Sequence, residues 1–192
     1  MEKKFELTDK FVFNTFGIKL FQIKCTKSFK YAKEGDLGGY VEKDENLDQE
    51  SDAWVSGNAW VYGNARVSGD AWVYGNARVS GNAWVYGNAR VSGDAWVYGN
   101  ARVYGNARVY GNADIENDNN HCGFDCFGSC NRHTHAYLTK DNKVEITCGC
   151  FRGSIEEFEK KVEGTHSGTI YEKQYKAIIN VIKIKFGLTD LI

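Results

Sequence analysis

Five of the six cysteines crowd into one stretch, Cys122, Cys126, Cys130, Cys148 and Cys150, with His121, His133 and His135 among them. Soft thiolates and imidazoles are the donors that zinc selects. Cys126, Cys130, Cys148, Cys150 and His133 therefore form a candidate zinc site, and zinc is the one cofactor the sequence suggests. Against it stands the spacing, Cys-x3-Cys-x3-Cys-x2-His and then Cys-x-Cys, which is not that of a standard finger. The competing reading is that these are reduced, small, buried apolar residues. A Cys–His nucleophile pair has less support, because nothing places a base beside a particular thiol.

The second group able to do chemistry is aromatic and cationic. All five tryptophans fall between Trp54 and Trp96, interleaved with arginines and with many of the 11 tyrosines. Arginine over an indole makes a cation–π contact, and Trp, Tyr and Arg concentrate binding energy at interfaces. What either group can do depends on the elements that aim it.

Those elements are set by a repeat. From Asp52 to Asn117 the chain divides into eleven hexads without insertion or deletion, built on the pattern Asx-Ala-(Trp/Arg)-Val-(Ser/Tyr)-Gly, with departures only at the entry and exit. A period of six fits neither a 3.6-residue helix nor a long strand. Within one hexad Ala points in, Trp or Arg out, Val in, Ser or Tyr out, which is a short strand. Gly followed by Asn or Asp then turns the corner, because both accept a left-handed backbone. A disordered tract would not place a β-branched residue at every sixth position beside bulky aromatics. A strand and a corner every six residues make a solenoid.

The hexads closely resemble the hexapeptide-repeat family, and the resemblance implies a left-handed parallel β-helix with three hexads per coil, here about 3.7 coils. Residues 18 apart then stack. The outward columns read Trp54, Trp72, Arg90, Arg108; Trp60, Arg78, Trp96, Asp114; and Arg66, Trp84, Arg102, beside Tyr62, Tyr98, Tyr86 and Tyr104. These ladders serve either to brace the prism or to form an interface. Trp60, Trp84, Trp96, Arg66, Arg78, Arg102, Tyr86, Tyr98 and Tyr104 are the candidate binding surface. Members of the family typically trimerise, so the resemblance implies a homo-oligomer, a dimer or a trimer.

The family also contains acyltransferases, whose chemistry uses a histidine on or beside the coils and a loop extruded from them. Neither feature occurs between residues 52 and 117, and all four histidines lie outside the coils. Catalysis by the coils is not expected.

The flanks complete a mainly β fold of three parts. Residues 1–51 read as an N-terminal cap with a hairpin turning at Asn14 to Gly17, covering the open lower end, with Val41 and Leu47 in an irregular first coil. Residues 52–117 are the β-helix, and residues 118–192 a small α+β domain of ββαα type after a polar linker. Thr134 to Thr139 and Val144 to Cys150 are its strands. Ser154 and Glu157 form a capping box opening a helix that stops near Gly164, and a second helix runs from about Tyr171 to Phe186. Gly35-Asp-Leu-Gly-Gly-Tyr40, Gly128-Ser-Cys-Asn-Arg132, Cys148-Gly-Cys-Phe151, Ser154-Ile-Glu-Glu-Phe158 and Thr165-His166 resemble hexapeptide-repeat proteins of phages and prophages.

The charge is balanced, 24 Lys+Arg against 25 Asp+Glu, so no global field recruits nucleic acid or an anionic membrane, and a DNA mimic is excluded as well. No apolar run is long enough to span a bilayer, and the N-terminus lacks a signal-peptide core, so the expected location is the cytoplasm of a bacterial host cell. The function the resemblance implies is a non-catalytic phage or prophage accessory protein that binds a host protein, as an inhibitor of anti-phage defence such as an anti-CRISPR. The alternatives are a degenerate acyl- or nucleotidyl-transferase and a protein that sequesters a nucleotide signal.

Overall fold

A computed structural model describes residues 3–188, in two compact units divided between Asn117 and Asp118. The first unit opens with a hairpin, β1 (Phe5–Phe13) and β2 (Lys19–Cys25), followed by β3 (Leu37–Val41). The hairpin turns where expected: the Asn14 side chain accepts from the Phe16 and Ile18 amides at 2.9 Å, and Gly17 takes a φ of +76°. Eleven two-residue strands follow, β4 (Trp54–Val55) to β14 (Asp114–Ile115), one per hexad.

Each coil strand pairs in parallel with the strand three hexads on, so Trp54 lies beside Trp72, Trp60 beside Arg78 and Arg66 beside Trp84. The register is 18 residues, and it makes three faces of a parallel β-solenoid of about four turns. The vertical columns are those the spacing gives. The hexads of one coil donate to those of the next, as Trp54 N to Ala71 O (3.0 Å), Ser56 N to Val73 O (2.9 Å) and Asn58 N to Gly75 O (2.8 Å). Continuous pairing of this kind leaves no position for proline, and the chain has none.

Inside, the Ala and Val columns are buried from Ala53 to Ile115. The corners are glycines of positive φ. At Gly81 (φ +66°) a Cβ would stand 2.9 Å from the Gly99 amide nitrogen, so both the backbone conformation and the approach of the next coil require glycine. Beside the corners runs a device the sequence reading did not anticipate: Asn64 donates to Asn82 and Asn82 to Asn100, both at 3.1 Å, and Asn76 to Asp94 at 3.1 Å. Eighteen-residue spacing of Asx was its visible signal.

The irregular first coil is present, with Val41 beside Val61 and Leu47 bridged to Val67. The N-terminal hairpin joins the first face edge to edge, in the order β1-β2-β3-β5-β8-β11-β14, and its Leu20 and Ile23 are fully buried. Lys4 is buried alongside, its Nζ donating to Ser51 O (2.6 Å) and Ala53 O (2.7 Å).

The second unit is a four-stranded antiparallel meander, β15 (His121–Phe127), β16 (Arg132–Leu138), β17 (Val144–Cys148) and β18 (Phe151–Ser154), followed by α1 (Ile155–His166) and α2 (Ile170–Lys185). Two strands were expected and four are present. β15 escaped notice because glycine, cysteine and aspartate dilute its alternation, yet Cys122, Phe124 and Phe127 pack on the core. The capping box forms, Glu157 N donating to Ser154 Oγ (3.2 Å) and Ser154 N to Glu157 Oε2 (2.8 Å). The first helix ends near Gly164 as expected, at His166, and Gly168 turns the chain at φ +75°.

Candidate functional site

The three faces of the coils treat their aromatics differently. On the first face, Arg78 lies between two indoles, its guanidinium carbon 4.7 Å from the Trp60 ring and 5.1 Å from the Trp96 ring. A cation sandwiched by two π faces is held on both sides. Tyr98 beside it is half-buried, and burial with Asp114 and Glu116 nearby pushes its hydroxyl above the usual phenol range.

On the second face the N-terminal segment covers the indoles. Phe29 meets Trp54 edge-on at 5.4 Å, leaving Trp54 2% exposed, and Tyr31 stacks on Trp72 at 5.2 Å. Trp72 Nε1 also donates to Ser56 Oγ at 2.9 Å. Phe29 and Tyr31, two aromatics two positions apart in the segment ahead of the coils, were the signal for this cover.

The third face is left open. Trp84 is 48% exposed and Tyr104 54% exposed, and Arg66 and Arg102 above and below Trp84 are exposed as well. Arg66 reaches the Trp84 ring only loosely, at 6.0 Å, whereas Tyr86 and Tyr104 stack nearly parallel at 5.3 Å. At its foot is a groove of about 530 Å³, walled by Leu47, Val67 and Trp84 and edged by Arg66 and the acidic 44–50 segment.

The proposed zinc ligands do not come together. Thr134 pairs with Cys148 across β16 and β17, and both point to the helices, where Cys148 Sγ is 3.3 Å from Thr134 Oγ1 and 3.7 Å from the Tyr175 hydroxyl. Strand alternation sends the neighbouring His133 to the opposite side of the sheet, and its Nδ1 sits 2.7 Å from Asp125 Oδ1. Cys126, Cys130 and Cys150 are exposed. Among the described residues no group of three or more His, Cys, Asp or Glu side chains is placed to hold a metal ion. On that same side His121 Nδ1 lies 3.0 Å from His135 Nε2, a contact between adjacent strands that spacing alone did not announce.

On the helix side, Cys148 and Cys150 instead border a small cavity of about 100 Å³ with Arg132, Lys161, His166 and Tyr175. Burial and the adjacent Cys148 push the Tyr175 hydroxyl well above its ordinary value, so it stays protonated.

The family model of the YdcK Beta solenoid repeat matches residues 59–75, 71–87, 83–99, 95–111 and 101–115, all within the coils. No curated protein matches the chain. The chain is a β-solenoid repeat protein. The matched residues of this solenoid protein include the whole sandwich of Arg78 and most of the open third face, and stop short of the second unit. No helix among the described residues is long and apolar enough to cross a membrane.

Proposed function

We propose that this solenoid protein is a non-catalytic binding protein, a phage or prophage accessory protein that grips a host protein through the third face of its coils. One observation carries the reading: Trp84 and Tyr104 are about half exposed on a single face, between exposed arginines, while the indoles of the second face are covered. Large rigid aromatics flanked by arginine are the side chains that anchor interfaces. Self-association as a dimer or trimer would bury other parts of the same aromatic surface. The coils offer no histidine to act as a base. The resemblance to phage hexapeptide-repeat proteins supports a role in the host cytoplasm, as an inhibitor of anti-phage defence such as CRISPR.

The test is capture from host lysate by the full chain and by a Trp84→Ala/Tyr104→Ala variant, with native mass spectrometry of both. The expected result is a discrete host protein held by the first and lost by the second. Equal retention by both, or none by either, overturns the reading. A nucleotide released intact on heating the full chain favours the sequestering alternative, for which the parallel Tyr86 and Tyr104 rings are suited.

A further inference from the structure

The cavity on the helix side of the second unit has an apolar floor and a cationic rim. Phe151, Phe158, Val162 and Tyr175 make the floor, and Arg132, Lys161 and His166 stand at the rim. Among the described residues no carboxylate lines it. Some other cations of this unit are neutralised: Arg152 grips Glu145 with two bonds of 2.6 and 3.0 Å, Lys183 meets Glu159 at 2.6 Å and Lys176 meets Glu172 at 2.8 Å. Among the described residues Arg132 and Lys161 have no such partner within 4.0 Å.

The surrounding backbone is cut to hold these groups. A Cβ on Gly149, at φ +61°, would lie 2.4 Å from Arg132 Nη1, so the guanidinium takes the space a side chain would fill. A Cβ on Gly128, at φ +73°, would lie 2.0 Å from the Tyr175 hydroxyl. The Tyr175 ring is then fixed by stacking on His166 at 5.5 Å and by the Phe158 edge at 5.6 Å.

Two uncompensated cations over a rigid aromatic floor select a ligand with one charged end and one apolar end. A volume of about 100 Å³ admits a body of about six heavy atoms, since one water needs 10–15 Å³ on the same measure. Arginine matches a planar or tetrahedral oxyanion with two parallel donors. We propose that this cavity binds a small organic oxyanion, its carboxylate or phosphate held by Arg132 and Lys161 and its apolar body against Phe158 and Tyr175.

The test is titration of the full chain, followed by amide NMR, with benzoate, phenyl phosphate and the neutral isostere benzamide, and with Ala-Ala-Phe as acid and as amide. Saturable shifts at Gly128, Gly149 and Tyr175 are expected for benzoate or phenyl phosphate, with benzamide about tenfold weaker. Binding of the peptide acid and not of the free anions would assign the oxyanion to a peptide C-terminus. Arg132→Gln and Lys161→Gln are each expected to weaken the anions about threefold or more and to leave benzamide unchanged. Both side chains are exposed, and should Arg132→Gln lower helix melting, Lys161→Gln decides alone. Anions no tighter than their neutral counterparts, or indifferent to both substitutions, overturn the proposal.

Discussion

In the coils the interior is one pair of side chains, Ala and Val, repeated hexad after hexad and stacked on copies of itself. In the second unit eleven buried residues of six types, from Ala136 to Ile182, fit together once. The first arrangement is nearly one-dimensional, each layer answering only to the layers above and below. The second depends on unique partners, a strand residue such as Ile146 sharing one cluster with residues of both helices. The difference decides where a substitution is felt and how far ahead of the structure each unit can be read.

The largest effect is expected where packing is unique. Ile146→Ala removes a fully buried side chain from the second unit and should cost about 2–5 kcal/mol. Both helices lie in this unit and all five tryptophans in the coils. Urea unfolding followed at 222 nm therefore reports the substitution, and tryptophan fluorescence reports the coils separately. A helical transition shifted by less than about 1 kcal/mol would show that this core repacks as freely as a repeat.

The coils should be most sensitive at their corners. Gly81→Ala imposes a left-handed alanine and drives its Cβ against the Gly99 backbone, whereas Gly105→Ala, at φ +64°, meets nothing within 4 Å. The left-handed conformation alone costs about 1–2 kcal/mol, and the clash at Gly81 adds to it. Fluorescence-monitored stability should fall by about 1 kcal/mol more for Gly81→Ala than for Gly105→Ala. Equal losses would assign the whole cost to the backbone and none to the contact between coils.

That same one-dimensionality explains what the sequence could be made to say. Val55 to Ile115 recur every six residues, so strand, corner, face and stacking partner follow from arithmetic. The second unit offers no such period. Its helices were legible through Ser154, Glu157 and the spacing of Tyr175, Ile178 and Ile182, but β15 and β18 were not, because short strands carrying Gly, Cys and Asp give little alternation to read. The zinc set failed for a related reason: spacing along the chain says nothing about which side of a sheet a residue takes, and pairing at Thr134–Cys148 put Cys148 and His133 on opposite sides. The cavity at Arg132 was illegible altogether, since its lining comes from three strands, both helices and the turn between β17 and β18.

Alkali should separate the units by sign. Burial pushes Lys4 down to about 8 and Cys122 up to about 11. Lys4 binds its proton less tightly folded than unfolded, so its contribution to stability rises as pH climbs from 8 toward the ordinary lysine value. Cys122 holds its proton more tightly folded, so its contribution is complete below the ordinary thiol value and is lost as pH rises through 11. Each change is expected to be on the order of 1 kcal/mol, solvent at the half-buried Cys122 screening part of it. Fluorescence-monitored stability relative to Lys4→Met should rise between pH 8 and 10, and 222 nm stability relative to Cys122→Ala should fall between pH 9 and 11. Slopes of the same sign would remove either burial as a cause.

The smallest contrast sets two arginines against each other. Arg78 is spent on the fold, held between Trp60 and Trp96, and Arg78→Ala should cost about 1 kcal/mol in fluorescence-monitored stability, two weak cation–π contacts together. Arg132 is exposed, rests on Gly149 and meets no carboxylate, so Arg132→Ala should change helical stability by less than about 0.5 kcal/mol. A cation whose loss costs the fold so little, beside a glycine that leaves room for it, is held for something other than the fold. If Arg132→Ala instead costs as much as Arg78→Ala, the guanidinium is a structural strut and the rim of the cavity loses its purpose.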